Sequence, residues 1–534
     1  MVTPPNGLLM PSPNAANSGD QASVGGGLIG NSATIAGARL LGATVSLAAV
    51  PVMIAKLGVE GFGTWEALYA MATLGSILQS AVAGTLLWRF SDLFGRSDRD
   101  EVARWVRLGL SAVLALLLVL VPLSWAVRGP VLHLIHVPAT YERAAGGLFP
   151  LIVLLLVVGG FADTLEAVIG GAQRTGIVSL NLAVAVAVNY AVAIAGLIAG
   201  WGLFALAAGV AAGVLMRIGV AYVLARRIVG AVSVRPAIPR RRDAAALRYG
   251  SLLMVGYVSA ALRGQTDKLV LAALASPVLT GYYGIAARLA NLVLEFSRFF
   301  YNPLLSAVAA LKAQDRWADV RRLYNAVMTV VPTVSGAVAV IVAGLSDRLM
   351  VLWVGHSYGQ VALILLILLT GNTFAVILTG AGSALTRGAG VVWVETAYVS
   401  VGLLLNLILT VVLVITIGPL GTVVASGASW AISSLVFVFV LHRVLDLPVS
   451  ATVRGVTVLG CTATAAAVMR VVSNLIPAST TRGNALLAVT ILSGVALSVY
   501  AGLLAVTGVV SPTRIQQAVA TFRGRRDAPA GEVG

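Results

Sequence analysis

From about residue 31 to residue 508 the chain is a succession of apolar runs, most of them 20 residues or longer, separated by short polar turns. Nothing else in the sequence limits the fold so sharply. A run of about 20 apolar residues spans the hydrocarbon core of a bilayer as one helix. About fourteen such runs are expected, near 31–54, 62–88, 106–127, 147–171, 177–199, 202–225, 247–275, 280–311, 324–345, 360–386, 391–416, 421–441, 455–476 and 484–508. Lipid offers no partner to backbone N–H and C=O groups, so each segment must satisfy them internally, as a helix. Strands of a membrane barrel are about 10 residues long and alternate in polarity, which these runs do not. The expected fold class is an all-α polytopic membrane protein with about 14 transmembrane helices.

Composition agrees. Hydrophobic residues make up 59% of the chain and charged residues 10%, against about 45–50% and 25% in soluble domains. The net charge of +16 follows from basic loops rather than from nucleic-acid binding, because Lys and Arg collect on the cytoplasmic side of membrane proteins. Arginines crowd alternate loops: Arg89, Arg96, Arg99, Arg104 and Arg107 after the second run, and Arg514, Arg523, Arg525 and Arg526 at the C-terminal end. The opposite loops carry few, such as Lys56, Arg128, Arg143, Arg348 and Arg482. Both termini are therefore expected in the cytoplasm, which requires an even number of spans.

The basic stretch RRIVGAVSVRPAIPRRRD (226–243) divides the chain. The expected organisation is a disordered cytoplasmic tail (1–30), a first lobe of six spans (31–228), a basic cytoplasmic linker (229–246), a second lobe of six spans (247–443), two extra spans (444–510) and a cytoplasmic tail (511–534). A local echo supports a repeat of six spans: GFGTWEAL (61–68) opens the second run and GYYGIAARL (281–289) opens the eighth.

An ionisable side chain at the bilayer centre costs at least about 2.5–3.5 kcal/mol, so it normally faces protein or a wet cavity. Arg288, Asn291, Glu295, Arg298 and Asn302 recur at intervals of three and four, which puts them on one helical face, a polar stripe about 20 Å long. Arg263, Asp267 and Lys268 sit in the seventh run, Arg39 in the first, Glu66 in the second, and Asp163 and Glu166 with Gln173 on one face of the fourth. Two readings stand for the pairs Glu295–Arg298 and Arg263–Asp267: packing locks, or lining of a transport cavity. Asp163 and Glu166 read either as interface residues or as coupling groups. Glu395 reads as structural and Arg470 as snorkelling to headgroups. The cations outnumber the anions in runs one, seven and eight, which suits an anionic substrate such as a diphosphate.

Sites of other kinds are not indicated. The single Cys461 excludes a disulfide framework or a cysteine-based metal site. His133, His136, His356 and His442 lack metal-ligand spacing. GGGLIG (25–30) does not join a strand to a helix, and no Walker lysine motif occurs. The reading is a transporter rather than an enzyme, without a cofactor or metal, driven by an ion gradient or by the substrate's own gradient.

PVMIAKLGVEGFGTWEAL (51–68) resembles the signature at the first external turn of polysaccharide transporters, and RGQTDKLVLAALASPVLTGYYGIAARLANLV (263–293) is similar to their seventh and eighth spans. These motifs, with the span count and order, resemble the Wzx-type branch of the multidrug/oligosaccharidyl-lipid/polysaccharide flippase superfamily over about 30–510. The resemblance implies two lobes alternating between inward-open and outward-open states in a bacterial plasma membrane. It implies movement of a polyprenyl-diphosphate-linked oligosaccharide from inner to outer leaflet for cell-surface polysaccharide assembly, with polysaccharide polymerase or glycosyltransferases as protein partners. Carried onto this sequence, Arg263, Lys268, Arg288 and Arg298 attract the diphosphate, with Arg39 and Asn291 contributing. Asp267 and Glu295 balance these cations or exchange H+ or Na+, and Asp163, Glu166 and Glu66 are further charge-balancing or coupling candidates. The alternatives are a lipid II flippase or cation-coupled multidrug exporter of the same superfamily, a membrane-embedded glycosyltransferase or polymerase, and a non-transporting scaffold.

Overall fold

The computed structural model describes residues 20–96, 98–230, 237–238, 240, 243–356, 358–477 and 481–509. Among them are fifteen α-helices. The first group comprises α1 (Asp20–Gly95), α2 (Arg99–Leu134), α3 (Ala139–Gly171), α4 (Thr175–Ile198) and α5 (Leu203–Val229). The second comprises α6 (Ala244–Leu274), α7 (Pro277–Ala290), α8 (Leu292–Ala313), α9 (Trp317–Gly344), α10 (Ser346–Val354), α11 (Gly359–Gly388), α12 (Val392–Ile417) and α13 (Gly421–Leu445). Two final helices, α14 (Val449–Leu475) and α15 (Arg482–Val506), follow.

All fourteen apolar runs lie in helices, but eleven helices are long and apolar enough to cross a membrane by length and composition. The difference has local causes. The first two runs share α1, which turns at Gly58, where φ is +69° and ψ 171°; a left-handed φ of this kind costs glycine nothing and other residues a steric penalty. The seventh run carries Arg263, Asp267 and Lys268 close together. The eighth is divided between α7 and α8 at Asn291. Helix α1 begins at Asp20, inside the segment expected to be a tail. Residues 1–19 and 510–534, and Arg235, Arg241 and Arg242 of the linker, lie outside the described residues.

Within the first group α1 packs against α2, α3 and α4, and α5 closes the set against α3 and α4. In the second, α11 is central, touching α7, α8, α9 and α13, while α6 lies against α12 and α13. Helices α14 and α15 attach through α9: Tyr500 donates from its hydroxyl to the Thr333 carbonyl at 3.2 Å. Arg348, expected in an outer loop, lies in the short α10 and is buried, donating from Nη2 to the carbonyls of Ser473 at 2.9 Å and Ile476 at 3.0 Å. These are end carbonyls of α14 that have no partner inside their own helix. Arg470, expected to snorkel, pairs with Asp347 at 2.7 Å, and Glu395 pairs with Arg387. Outward faces expose aliphatic side chains, Leu118 by 70% and Ile415 by 79%, the surface that lipid covers.

The two groups meet along α1, which packs against α6 and α7. The echoing segments are themselves the contact. A Cβ on Gly63 would lie 1.7 Å from the Pro277 carbonyl oxygen, and one on Gly281 would lie 2.7 Å from the Val59 carbonyl oxygen. Only hydrogen at both positions permits so close a crossing, the small-residue packing typical of helices in lipid. Trp353 adds a hydrogen bond from its indole to the Leu47 carbonyl at 2.8 Å.

Candidate functional site

Just inside that crossing, three charges converge. After Gly58 the chain re-enters α1, and Phe62 and Glu66, one turn apart, share the face turned to α6 and α7. Lys268 Nζ donates to Glu66 Oε2 at 2.7 Å and Arg288 Nη2 donates to Glu66 Oε1 at 2.8 Å. The Arg288 guanidinium lies 5.1 Å from the Phe62 ring centroid and also donates to the Gly284 carbonyl at 3.3 Å. A Cβ on Gly284 would lie 3.2 Å from Glu66 Cγ, so glycine lets the carboxylate sit tightly against α7. Glu66 is 5% exposed at its side chain, Lys268 20% and Arg288 21%. Two cations share one carboxylate, and the cluster carries a net positive charge.

Asp267 and Lys268 are adjacent in sequence yet face different partners, because consecutive helix residues point about 100° apart. Asp267 turns into the second group, buried, and accepts from the hydroxyls of Ser426 at 2.6 Å, Tyr283 at 2.8 Å and Thr422 at 3.2 Å. Asn406 donates to Ser426 at 2.7 Å, and its Oδ1 has no partner among the described residues. Arg263 is also buried there. Its guanidinium stacks 3.6 Å from the Trp430 ring centroid and 6.0 Å from that of Tyr398, and Nη2 reaches Ser433 Oγ at 3.4 Å. Its Nε and Nη1 have no hydrogen-bond partner among the described residues. Arg263 and Asp267, one turn apart, share no hydrogen bond; each is held by α13 instead.

The polar stripe of the eighth run is interrupted at Asn291, which accepts from Asn372 Nδ2 at 3.1 Å while the same amide donates to the Ala290 carbonyl at 3.0 Å. Asn372 thus repairs the interruption between α7 and α8. Beyond it, Glu295 and Arg298 form an ion pair within one turn of α8, with the Arg298 side chain half-exposed. The side chain of Asn302 lies outside what is described. Arg39 is exposed on α1, in the arm that precedes the turn at Gly58, whereas Glu66 lies in the arm that follows it.

A second polar cluster lies inside the first group, and its centre was not singled out from sequence. Arg217 of α5 bridges the two α3 carboxylates, bonding Asp163 Oδ1 at 2.6 Å and Glu166 Oε1 at 2.9 Å. Gln79 donates to Asp163 at 2.8 Å and Asn181 to Glu166 at 2.8 Å. A cavity of about 240 Å³ opens beside it, lined in part by Tyr69, Gln79, Asp163, Asn189 and Arg217. The signal was present: Arg217 is the lone charge in the middle of the sixth run, at a depth where it must find an acid. Gln173, placed on the same face from its spacing, falls beyond the end of α3 in the following turn and is exposed.

Residues 57–363 match the family model described as polysaccharide biosynthesis protein. The chain belongs to that family. No curated protein matches it. Among solved structures it is similar to a lipid II flippase, MurJ, in an inward closed conformation, with 14% identity, TM-score 0.68, and coverage of 90% of this chain and 98% of that one. It is also similar to an inward-facing multidrug resistance MATE transporter of the MOP superfamily, with 13% identity, TM-score 0.63, and coverage of 77% and 98%. A mutant of the Vibrio cholerae MATE transporter VcmN gives 12% identity, TM-score 0.54, and coverage of 80% and 98%. The protein is a multi-pass membrane protein that shares the fold of these solved structures.

Proposed function

We propose that this member of the polysaccharide biosynthesis family carries a polyprenyl-diphosphate-linked oligosaccharide from the inner to the outer leaflet by alternating access. The observation that carries the reading is the convergence of Lys268 and Arg288 on Glu66 across the seam between the helix groups. The surplus positive charge there suits a diphosphate, which an arginine engages through two parallel hydrogen bonds. A diphosphate that takes Lys268 and Arg288 deprives Glu66 of both partners. Binding and parting of the seam are then linked through the same atoms, which is the differential affinity any ligand-driven switch requires.

On this reading the eleven apolar helices, the second arm of α1, α6 and the α7–α8 pair make fourteen spans in two six-span lobes with two spans added. Both termini then lie in the cytoplasm of a bacterial plasma membrane. The seam belongs to the outer end, so the molecule is shut outward, while Arg39, Asn291 and Arg298 lie toward the entry side. Asp267, ringed by hydroxyls with no cation bonded to it among the described residues, is the residue for H+ or Na+ exchange. The Asp163–Glu166–Arg217 cluster is a second coupling group within the first lobe.

The test is a depletion strain in which lipid-linked saccharides are quantified separately in each leaflet. Accumulation of one saccharide on the cytoplasmic face supports the proposal and names the substrate. Accumulation of lipid II instead assigns the sister activity, and unaltered pools on both faces refute transport.

A further inference from the structure

Where α1 ends and α2 begins, the structure contains a cavity of about 320 Å³ that the transport reading does not use. Its walls are Val82 and Leu86 of α1, Leu108, Ala112 and Ala115 of α2, and Ile238 of the segment that joins the two helix groups. The volume lies within the range of about 300–1,000 Å³ of small-ligand sites. Between Trp105 and Ala115 it runs about 15 Å along α2, from the arginine-rich end into the apolar region.

Two buried donors at this end, one in the lining and one just behind it, have no partner among the described residues. Trp105 is 3% exposed and lines the cavity, and its Nε1 has no partner among the described residues. Arg89 spends Nη1 on Asp92 at 2.6 Å, and its buried Nε has no partner either. The guanidinium of Arg89 lies 5.5 Å from the Trp105 ring centroid. Arg104, at the same distance from that ring, is fully engaged by Glu101 and Asp243. A buried donor left unmatched is costly, so an acceptor arriving with an apolar chain would be favoured beside Trp105.

The roof is strapped down. The Ala237 amide donates to Ser111 Oγ at 2.9 Å, and Asp243 accepts from Arg104 Nη1 at 3.0 Å. Ile238 between them is 83% exposed, and Arg240 projects from the same strap, also exposed. An exposed aliphatic side chain at the cavity's edge beside arginines is the composition of a surface at headgroup level.

We propose that this cavity binds one anionic phospholipid of the leaflet at the arginine-rich end, with an acyl chain between α1 and α2 and a phosphate or ester oxygen accepting from Trp105 Nε1, beside the positive charge of the Arg89 guanidinium. The occupant belongs to the bilayer rather than to the cargo, and the site is separate from the Glu66 cluster. Because the roof is the connection between the two helix groups, an occupied site holds that connection against α2.

The test uses the full-length protein reconstituted in phosphatidylcholine vesicles containing a small fraction of phosphatidylglycerol with a photoreactive group on its acyl chain, followed by peptide mapping of the labelled sites. Label is expected in residues 82–115 and 237–243, several-fold above that from the phosphatidylcholine analogue. Arg89→Gln is expected to lower the phosphatidylglycerol label there roughly fivefold, the factor corresponding to about 1 kcal/mol per cation near a charged surface. Ala112→Phe fills the cavity and is expected to remove label at these segments while label on other lipid-facing helices persists. Ala115→Leu is a milder filling that gives the same readout if the phenylalanine variant fails to fold. Equal labelling by the two headgroups, or labelling that survives both filling variants, overturns the proposal.

Discussion

Glu66 and Arg288 stand 222 residues apart in the chain and meet at 2.8 Å, carboxylate to guanidinium, on the seam between the two helix groups. Lys268 completes the contact from a third helix segment. Charge therefore sits beside a glycine crossing that joins the two helix groups at the same end, and the two devices can be tested separately.

Glu66→Gln keeps the side-chain shape and removes its charge. Lys268 and Arg288 are then left mostly buried without a carboxylate. Breaking a buried pair in this way costs about 3–5 kcal/mol; the exposure of the two cations, 20% and 21%, lowers the expected loss to on the order of 2 kcal/mol. The thermal midpoint should fall, and spin labels at Val59 and Leu279, placed in a Cys461→Ser background, should report a longer distance. An unchanged distance distribution contradicts a gating role for this carboxylate.

Gly63→Ala addresses the crossing itself. Its Cβ would fall 1.7 Å from a backbone oxygen, whereas Gly75→Ala meets nothing nearer than 3.6 Å. The seam cannot close over the extra methyl, and overpacking of this kind costs about 1–3 kcal/mol. The same spin-label pair should separate in Gly63→Ala and stay put in Gly75→Ala. Identical behaviour of the two variants removes the crossing as a determinant of closure.

Arg263→Met separates stability from function. The arginine leaves two nitrogens without partners in the second helix group, and an apolar side chain of similar length against Trp430 incurs no such cost. The thermal midpoint should hold or rise. Leaflet-to-leaflet transport should fall roughly tenfold to a hundredfold if the charge serves the cycle, the weight of one hydrogen bond to a charged group. A destabilised variant instead marks Arg263 as a packing residue.

Arg217→Met should be the most damaging change in the first helix group. It strands Asp163 and Glu166, which now share one cation, at a cost of about 3–5 kcal/mol. Adding Glu166→Gln to Arg217→Met should restore part of the thermal midpoint. Absence of any rescue shows that the arginine acts through packing rather than charge.

Much of the chain's architecture was written in its order of residues. Lipid forbids unpaired backbone groups, so long apolar runs become helices whatever their neighbours do, and all fourteen runs lie in helices. The same logic made Glu66, Asp163, Glu166, Lys268 and Arg288 conspicuous, since a charge in an apolar run must find a partner. The partners were not legible. Asp267 and Lys268 differ by one position and by about 100° of rotation, and only the packing of α6 decides that one faces Ser426 and the other Glu66. The spacing of Arg263 and Asp267 suits a pair, yet the α12–α13 surface offers Trp430 and three hydroxyls in all, and each side chain goes its own way. Arg217 meets the same criterion, but only the packing of α5 against α3 shows that Asp163 and Glu166 are its acids. Hydropathy is a property along one helix, whereas charge pairing depends on the rotation, depth and crossing of several, and those are set when the helices pack.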